Sequence, residues 1–233
     1  MSWILFLQSD YQAKLDSINQ SMSAANHSMS VWEMTMKGGW VMIPIAIVSV
    51  VAVYIFVERY IHIKKALKED QSYMNRVKEF IHDGKIDAAV RLSQSTDTPV
   101  SRMIGAGISR IGRPMADLNI AIENAGRLEI YKLERGLATL AAASGSAPML
   151  GFLGTVLGMI RAFYDMSTAG GSVDLSILSN GIYTAQITTA AGLIVGIPAY
   201  FFYNILVSRI QTAVSILETR ASEFLDLLNE PSK

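Results

Sequence analysis

Three stretches of this sequence, residues 40–57, 137–160 and 175–208, contain no Asp, Glu, Lys, Arg or His. Each is close to or above the roughly 20 apolar residues that a helix needs to cross the hydrocarbon core of a bilayer. Lipid supplies no hydrogen-bond partner, so an isolated apolar stretch must satisfy its own backbone, and only a helix does that. The predicted fold class is therefore an all-α membrane protein with three transmembrane helices. Composition agrees: 51% of residues are hydrophobic and 17% charged, against about a quarter charged in ordinary globular chains. The surplus is gathered in those blocks.

The polar flanks set the domain boundaries. The first span is taken as 37–60, with Trp40 and Tyr60 at the two interfaces, where amphipathic rings are favoured, and Pro44 in the first turns, where a missing N–H costs little. The second is taken as 131–164, including a cytoplasmic extension, and the third as 175–208. Between the first two spans, residues 59–135 hold 14 of the 20 Lys and Arg. By the positive-inside rule this loop is cytoplasmic, which puts the N-terminus outside and the C-terminus inside.

Within that loop, 61–130, Met74, Val77, Phe80 and Ile81 recur at helical spacing up to a break at Asp83-Gly84. A second short helix follows through Ile86, Ala89, Val90 and Leu92, and Pro99 and Pro114 mark further breaks or helix starts. From Ala116 no breaker intervenes before the second span, so one uninterrupted helix is expected to run from the cytoplasm into the membrane. After the third span, Ile210, Val214, Leu217, Ala221, Phe224 and Leu228 repeat every three or four residues, so 209–233 reads as an amphipathic helix needing a neighbour. Residues 165–174 form a short outer loop. Residues 1–36 read either as an amphipathic segment on the outer headgroups or as unstructured chain. Their opening, "MSWILFLQSD", has no basic start, only a very short apolar run and no small-residue cleavage pattern, so it is kept as mature protein.

Several chemistries find no support. There is no cysteine, and His27, His62 and His82 lack a second ligand at metal-site spacing. The glycines of "GFLGTVLG" are followed by no Lys-Ser/Thr, so they do not make a phosphate loop. The basic loop lacks interleaved aromatics or a nucleic-acid motif, and a headgroup-facing surface is its default reading. Arg161, near Asp165 and Asp174, reads as an interfacial or locally paired charge. No enzyme, cofactor or metal is indicated.

The informative pattern lies in the second and third spans. Turning about 100° per residue gathers Ser144, Ala147, Pro148, Gly151, Gly154, Thr155 and Gly158 within about a third of the helix circumference. On the third span Gly181, Thr184, Ala185, Thr188, Thr189, Gly192 and Gly196 fall within about 140°. Bulky residues such as Leu153, Val156, Ile187 and Ile194 cover the other sides. Two readings remain open at this point: close helix packing through small residues, with Pro198 beside Gly196, or the lining of a polar pathway through Thr155, Thr184, Thr188, Thr189 and Ser144. Gln186 stands about 60° off the stripe and reads as a polar contact between subunits. Because the spans carry no carboxylate or imidazole, a proton relay through them needs a titratable group from elsewhere.

"MLGFLGTVLGMIRAF" (149–163) and "NGIYTAQITTAAGLIVGIPAYFFYN" (180–204) resemble the two signature blocks of the ExbB/TolQ/MotA ion-channel superfamily. The likeness extends over about residues 75–228. Three spans match its ExbB and TolQ branch, most closely ExbB; the MotA branch has four. The resemblance implies a homo-oligomeric ring, a pentamer, with a central pore around the helices of an ExbD- or TolR-like single-span partner. It further implies a place in the bacterial inner membrane and passage of force to a TonB- or TolA-like protein. It points Thr155 and Thr189 at the pore. The chain departs from the family at Thr184, where the better-known members have a glutamate, so the partner's aspartate becomes the expected titrating group. A stand-alone channel or transporter and a non-conducting scaffold are the alternatives.

Overall fold

The computed structural model describes residues 38–67, 71–168 and 175–229. The N-terminal segment 1–36 and most of 165–174, expected above as a short outer loop, lie outside them. Among the described residues every regular element is an α-helix: α1 (Met42–Ala66), α2 (Gln71–His82), α3 (Ile86–Ser95), α4 (Pro99–Ile108), α5 (Met115–Glu134), α6 (Leu137–Thr168) and α7 (Leu175–Asn229). Helices α1, α6 and α7 contain stretches long and apolar enough to cross a membrane.

Local chemistry explains the breaks. After α2 the chain turns at Gly84, whose φ of 71° lies in the left-handed region that glycine enters without steric cost. Helix α4 starts at Pro99, and Thr98 caps it reciprocally: the Thr98 hydroxyl accepts from the Ser101 N–H while the Ser101 hydroxyl accepts from the Thr98 N–H. Lys64 and Lys65 close α1, opposite the negative end of its dipole.

Two boundaries differ from the sequence expectation. The helix expected to run unbroken into the second span is interrupted: Arg135 is extended (ψ 130°) and Gly136 has φ 86°, so α5 and α6 are separate helices. Glycine alone adopts that conformation cheaply, and its single occurrence after a long helical pattern was too weak a signal to read as a stop. Conversely, the third span and the C-terminal segment are not separate pieces. Helix α7 runs 55 residues without a break at 208–209, about 80 Å at 1.5 Å per residue.

Two apolar clusters organise the molecule. One joins the short helices to the end of α7 through Val77, Ile104, Ile108, Leu118 and Phe224, all buried. The other holds the three long helices together around Ala52, Ile63, Leu140, Ala199 and Leu206. There Phe56 stacks on Phe202 at 4.1 Å, and the Arg209 guanidinium lies 4.7 Å from the Tyr60 ring centre. The remaining faces of α1, α6 and α7 leave Val50, Tyr54, Phe152, Ile160, Ile194 and Phe201 exposed in the single chain. Apolar surface on this scale requires lipid or further subunits against it.

Candidate ion-pathway site

Helices α6 and α7 pack antiparallel along their small residues. A methyl group placed on Gly192 would lie 2.6 Å from the Ala147 carbonyl oxygen and 2.9 Å from Gly151 Cα, and one on Gly158 would lie 3.0 Å from Ala185 Cβ. Toward the start of α6 Gly196 meets Pro148, and toward its end Gly181 meets Ala162. Gly151, Gly154, Gly158, Gly192, Gly196 and Pro148 thus all lie in this seam. Pro198 does not: it is exposed on α7. Two residues beyond Gly196, it is rotated about 200° from the packed face.

Close approach brings three hydroxyls onto two backbone carbonyls. Thr155 Oγ1 lies 3.1 Å from the Ala185 oxygen and 3.3 Å from that of Gly151, and it shares a short hydrogen bond with Thr189 Oγ1. Thr189 in turn reaches the Gly151 oxygen at 3.2 Å. Thr188 donates to the Ala185 oxygen at 2.7 Å and lies 3.4 Å from that of Gly151. Each hydroxyl has one proton to donate and two lone pairs. When Thr155 donates to Ala185, its oxygen is free to accept from Thr189.

The three threonines are not equivalent. Thr155 and Thr189 are half-buried, whereas Thr188 is 1% exposed, enclosed against Gly154. Expected on the polar lining, Thr188 instead belongs to the packed seam, because its β-branched side chain fills the space that Gly154 leaves. Thr184 lies one turn before Thr188 on α7, in a cleft of about 430 Å³ shared with Gly39, Asn180, Arg161 and Asp165. Arg161 and Asp165 approach to 3.9 Å at an exposed site, where such a pair contributes little. Ser144 bonds its own helix, donating to the Ala141 oxygen at 2.7 Å. Gln186 is exposed on α7.

In chemical terms the crossing is an uncharged group of hydroxyl and carbonyl oxygens within an apolar span. Such a group can donate to a carboxylate or accept from a carboxylic acid, and it can solvate water or a cation. Among the described residues, no group of three or more His, Asp or Glu side chains gathers at metal-binding distance.

Sequence reasoning missed one charged site. Glu129 on α5 is 3% exposed and is held by Arg102 at 2.6 Å and Lys132 at 2.7 Å. Burial by itself would raise its pKa; the hydrogen bonds from the two cations outweigh that and hold the carboxyl below its ordinary value. The available signal was a lone acid on the inward face of α5, in register with buried Leu118, Ile122, Gly126 and Leu133.

Known proteins match this sequence over most of its length. Residues 95–219, more than half of the chain and including the whole of the α6–α7 crossing, match the model of the MotA/TolQ/ExbB proton channel family. The putative biopolymer transport protein ExbB-like 3 of Synechocystis is 28% identical over 171 residues, spanning 73% of this chain and 81% of its own length. An ExbB homolog of Methanothermobacter thermautotrophicus is 28% identical over 190 residues, 81% of this chain and 67% of that protein. The Tol-Pal system protein TolQ of Pseudomonas aeruginosa is 27% identical over 200 residues, 81% and 86% of the two chains. Three apolar helices, a glycine-lined seam and threonines gathered at its centre are thus joined by a match over most of both spans, and the chain belongs to the MotA/TolQ/ExbB proton channel family.

Proposed function

We propose that this chain is the ring-forming subunit of an ion-driven motor in the inner membrane, N-terminus outside and C-terminus inside. Five copies surround the span of an ExbD- or TolR-like partner, and the ion gradient is converted into movement passed to a TonB-like protein for transport across the outer membrane. The carrying observation is the half-buried Thr155–Thr189 pair at a crossing with no ionised residue in either span. Thr155, Thr184, Thr189 and Ser144 form the neutral track, Gln186 contacts a neighbouring subunit, and the partner's aspartate carries the proton. Hydroxyls suit this task because they meet that group in both of its protonation states. A TolQ-like role in envelope maintenance is the second reading, favoured by the long alignment with the Pseudomonas TolQ.

Thr155→Val and Thr189→Val test the proposal in cells and on purified complexes. Both variants are expected to assemble with the partner and to lose gradient-dependent transport. Normal transport in both removes the threonines from the mechanism. Conductance by the chain without a partner replaces the motor with a self-contained channel.

A further inference from the structure

A second polar site lies where the first two spans leave the apolar zone. The cleft, about 270 Å³, opens between the end of α1, the start of α4 and the end of α5, and Arg59, His62, Lys65, Asp97, Arg102 and Lys132 line it. Arg59 follows the uncharged run 40–57 by two residues, and Lys132 precedes the one beginning at Leu137 by five. The site therefore sits at headgroup depth on the face that bears most of the Lys and Arg.

Its internal pairing leaves positive charge over. Glu129 is held between Arg102 and Lys132, Asp97 between Arg102 and Lys65, and Glu58 pairs with Arg59 at 3.0 Å. Among the described residues, four cations, Arg59, Lys65, Arg102 and Lys132, face these three carboxylates, so one positive charge has no counterpart there. Arg59 carries a more specific sign: its Nε–H is buried and meets no acceptor among the described residues, while its other nitrogens bond Glu58 and the Lys132 carbonyl. An unsatisfied guanidinium N–H out of water is costly, and an anionic oxygen relieves it.

The surroundings decide which anion. On α1 the exposed column Ile61, Val57 and Tyr54 climbs from Lys65 along the first span. A phosphate seated among Arg59, His62, Lys65 and Lys132 would direct an acyl chain onto that column. A free anion has no use for it.

We propose that this cleft binds the phosphodiester headgroup of an anionic phospholipid from the cytoplasmic leaflet. Its single negative charge matches the surplus, and Arg59 with the two lysines supplies the donors. The bound lipid tethers α1 to the α4–α5 corner of the cytoplasmic helices.

The test uses the full chain in nanodiscs of phosphatidylglycerol and phosphatidylcholine, with retained lipid quantified after mild solubilisation. Phosphatidylglycerol is expected to be retained preferentially. Its retention is expected to fall about fivefold in Lys65→Gln and on the order of twentyfold in Lys65→Gln/Lys132→Gln. A charge-matched control, Lys78→Gln/Lys85→Gln, removes two lysines away from the cleft and is expected to change nothing. Lys65 is 72% exposed, so its single variant keeps the test valid if the double variant folds poorly. Equal retention of the two lipids, or equal loss in the control, overturns the site. Displacement of the lipid by millimolar inorganic phosphate assigns the cleft to a free anion and overturns the lipid assignment.

Discussion

Replacing Gly192 with alanine tests the α6–α7 seam where an added methyl would come closest to the facing backbone. The added methyl would lie 2.6 Å from the Ala147 oxygen, 2.9 Å from Gly151 Cα and 3.1 Å from Gly151 N. All three are backbone atoms, so no side chain can swing away, and the helices must part by about 0.8 Å to restore ordinary contact. Overpacking of that kind costs about 1–3 kcal/mol. Parting the helices also stretches the cross-helix bonds of Thr155, Thr188 and Thr189, now 3.1 to 3.4 Å, past useful length. At roughly 0.6 kcal/mol for each such bond in a membrane protein, that adds about 2 kcal/mol. Alanine's better helix propensity returns about 1 kcal/mol at most. The net expectation is a destabilisation of about 2–4 kcal/mol. The comparison is Gly145→Ala on the facing helix α6, where a methyl meets nothing within 4 Å and stability is expected to hold or rise slightly. SDS-titrated unfolding in mild detergent, with α6–α7 separation read by a dye pair, measures both. If the two variants fall within about 0.5 kcal/mol of each other, the seam does not rest on close backbone approach and the reasoning fails.

Thr188→Val preserves shape in a closed space and removes one hydroxyl, so it is expected to cost less than about 1 kcal/mol. In coupled-transport assays it is expected to retain activity that Thr155→Val and Thr189→Val lose. Gly136→Ala forces a side chain into φ 86° at the α5–α6 corner; thermal unfolding is expected to show a loss of about 1–3 kcal/mol. Glu129→Gln removes two charge-assisted bonds and is expected to lower stability near neutral pH by about 2 kcal/mol. Because the folded pKa of Glu129 is depressed, its contribution is complete above the unfolded value of about 4.3. That contribution fades as pH falls from there through the lower folded value. The gap between wild type and Glu129→Gln is therefore expected to close in acid; a gap independent of pH contradicts the ion-pair account.

The sequence by itself determined the all-helical class, the three spans and the presence of a small-residue stripe on each of two of them. These follow from short-range rules: lipid forbids unpaired backbone, and side chains three and four apart share a face. Most of the seam, Gly151, Gly154, Gly158, Gly192 and Gly196 with Pro148, was legible for the same reason. Only the tertiary structure decided what each residue on a stripe does. A stripe about 140° wide is broader than a line of contact, and the depth of each side chain depends on its partner across the seam. Thr188 therefore disappears against Gly154 while Thr155 and Thr189 stay half-open. Pro198 turns outward, although Gly196 two residues away is packed. The corner at Gly136 and the burial of Glu129 escaped the sequence for a related reason. A single glycine or a single acid in a helical pattern has no meaning until the fold shows which direction the chain must take and which cations await it.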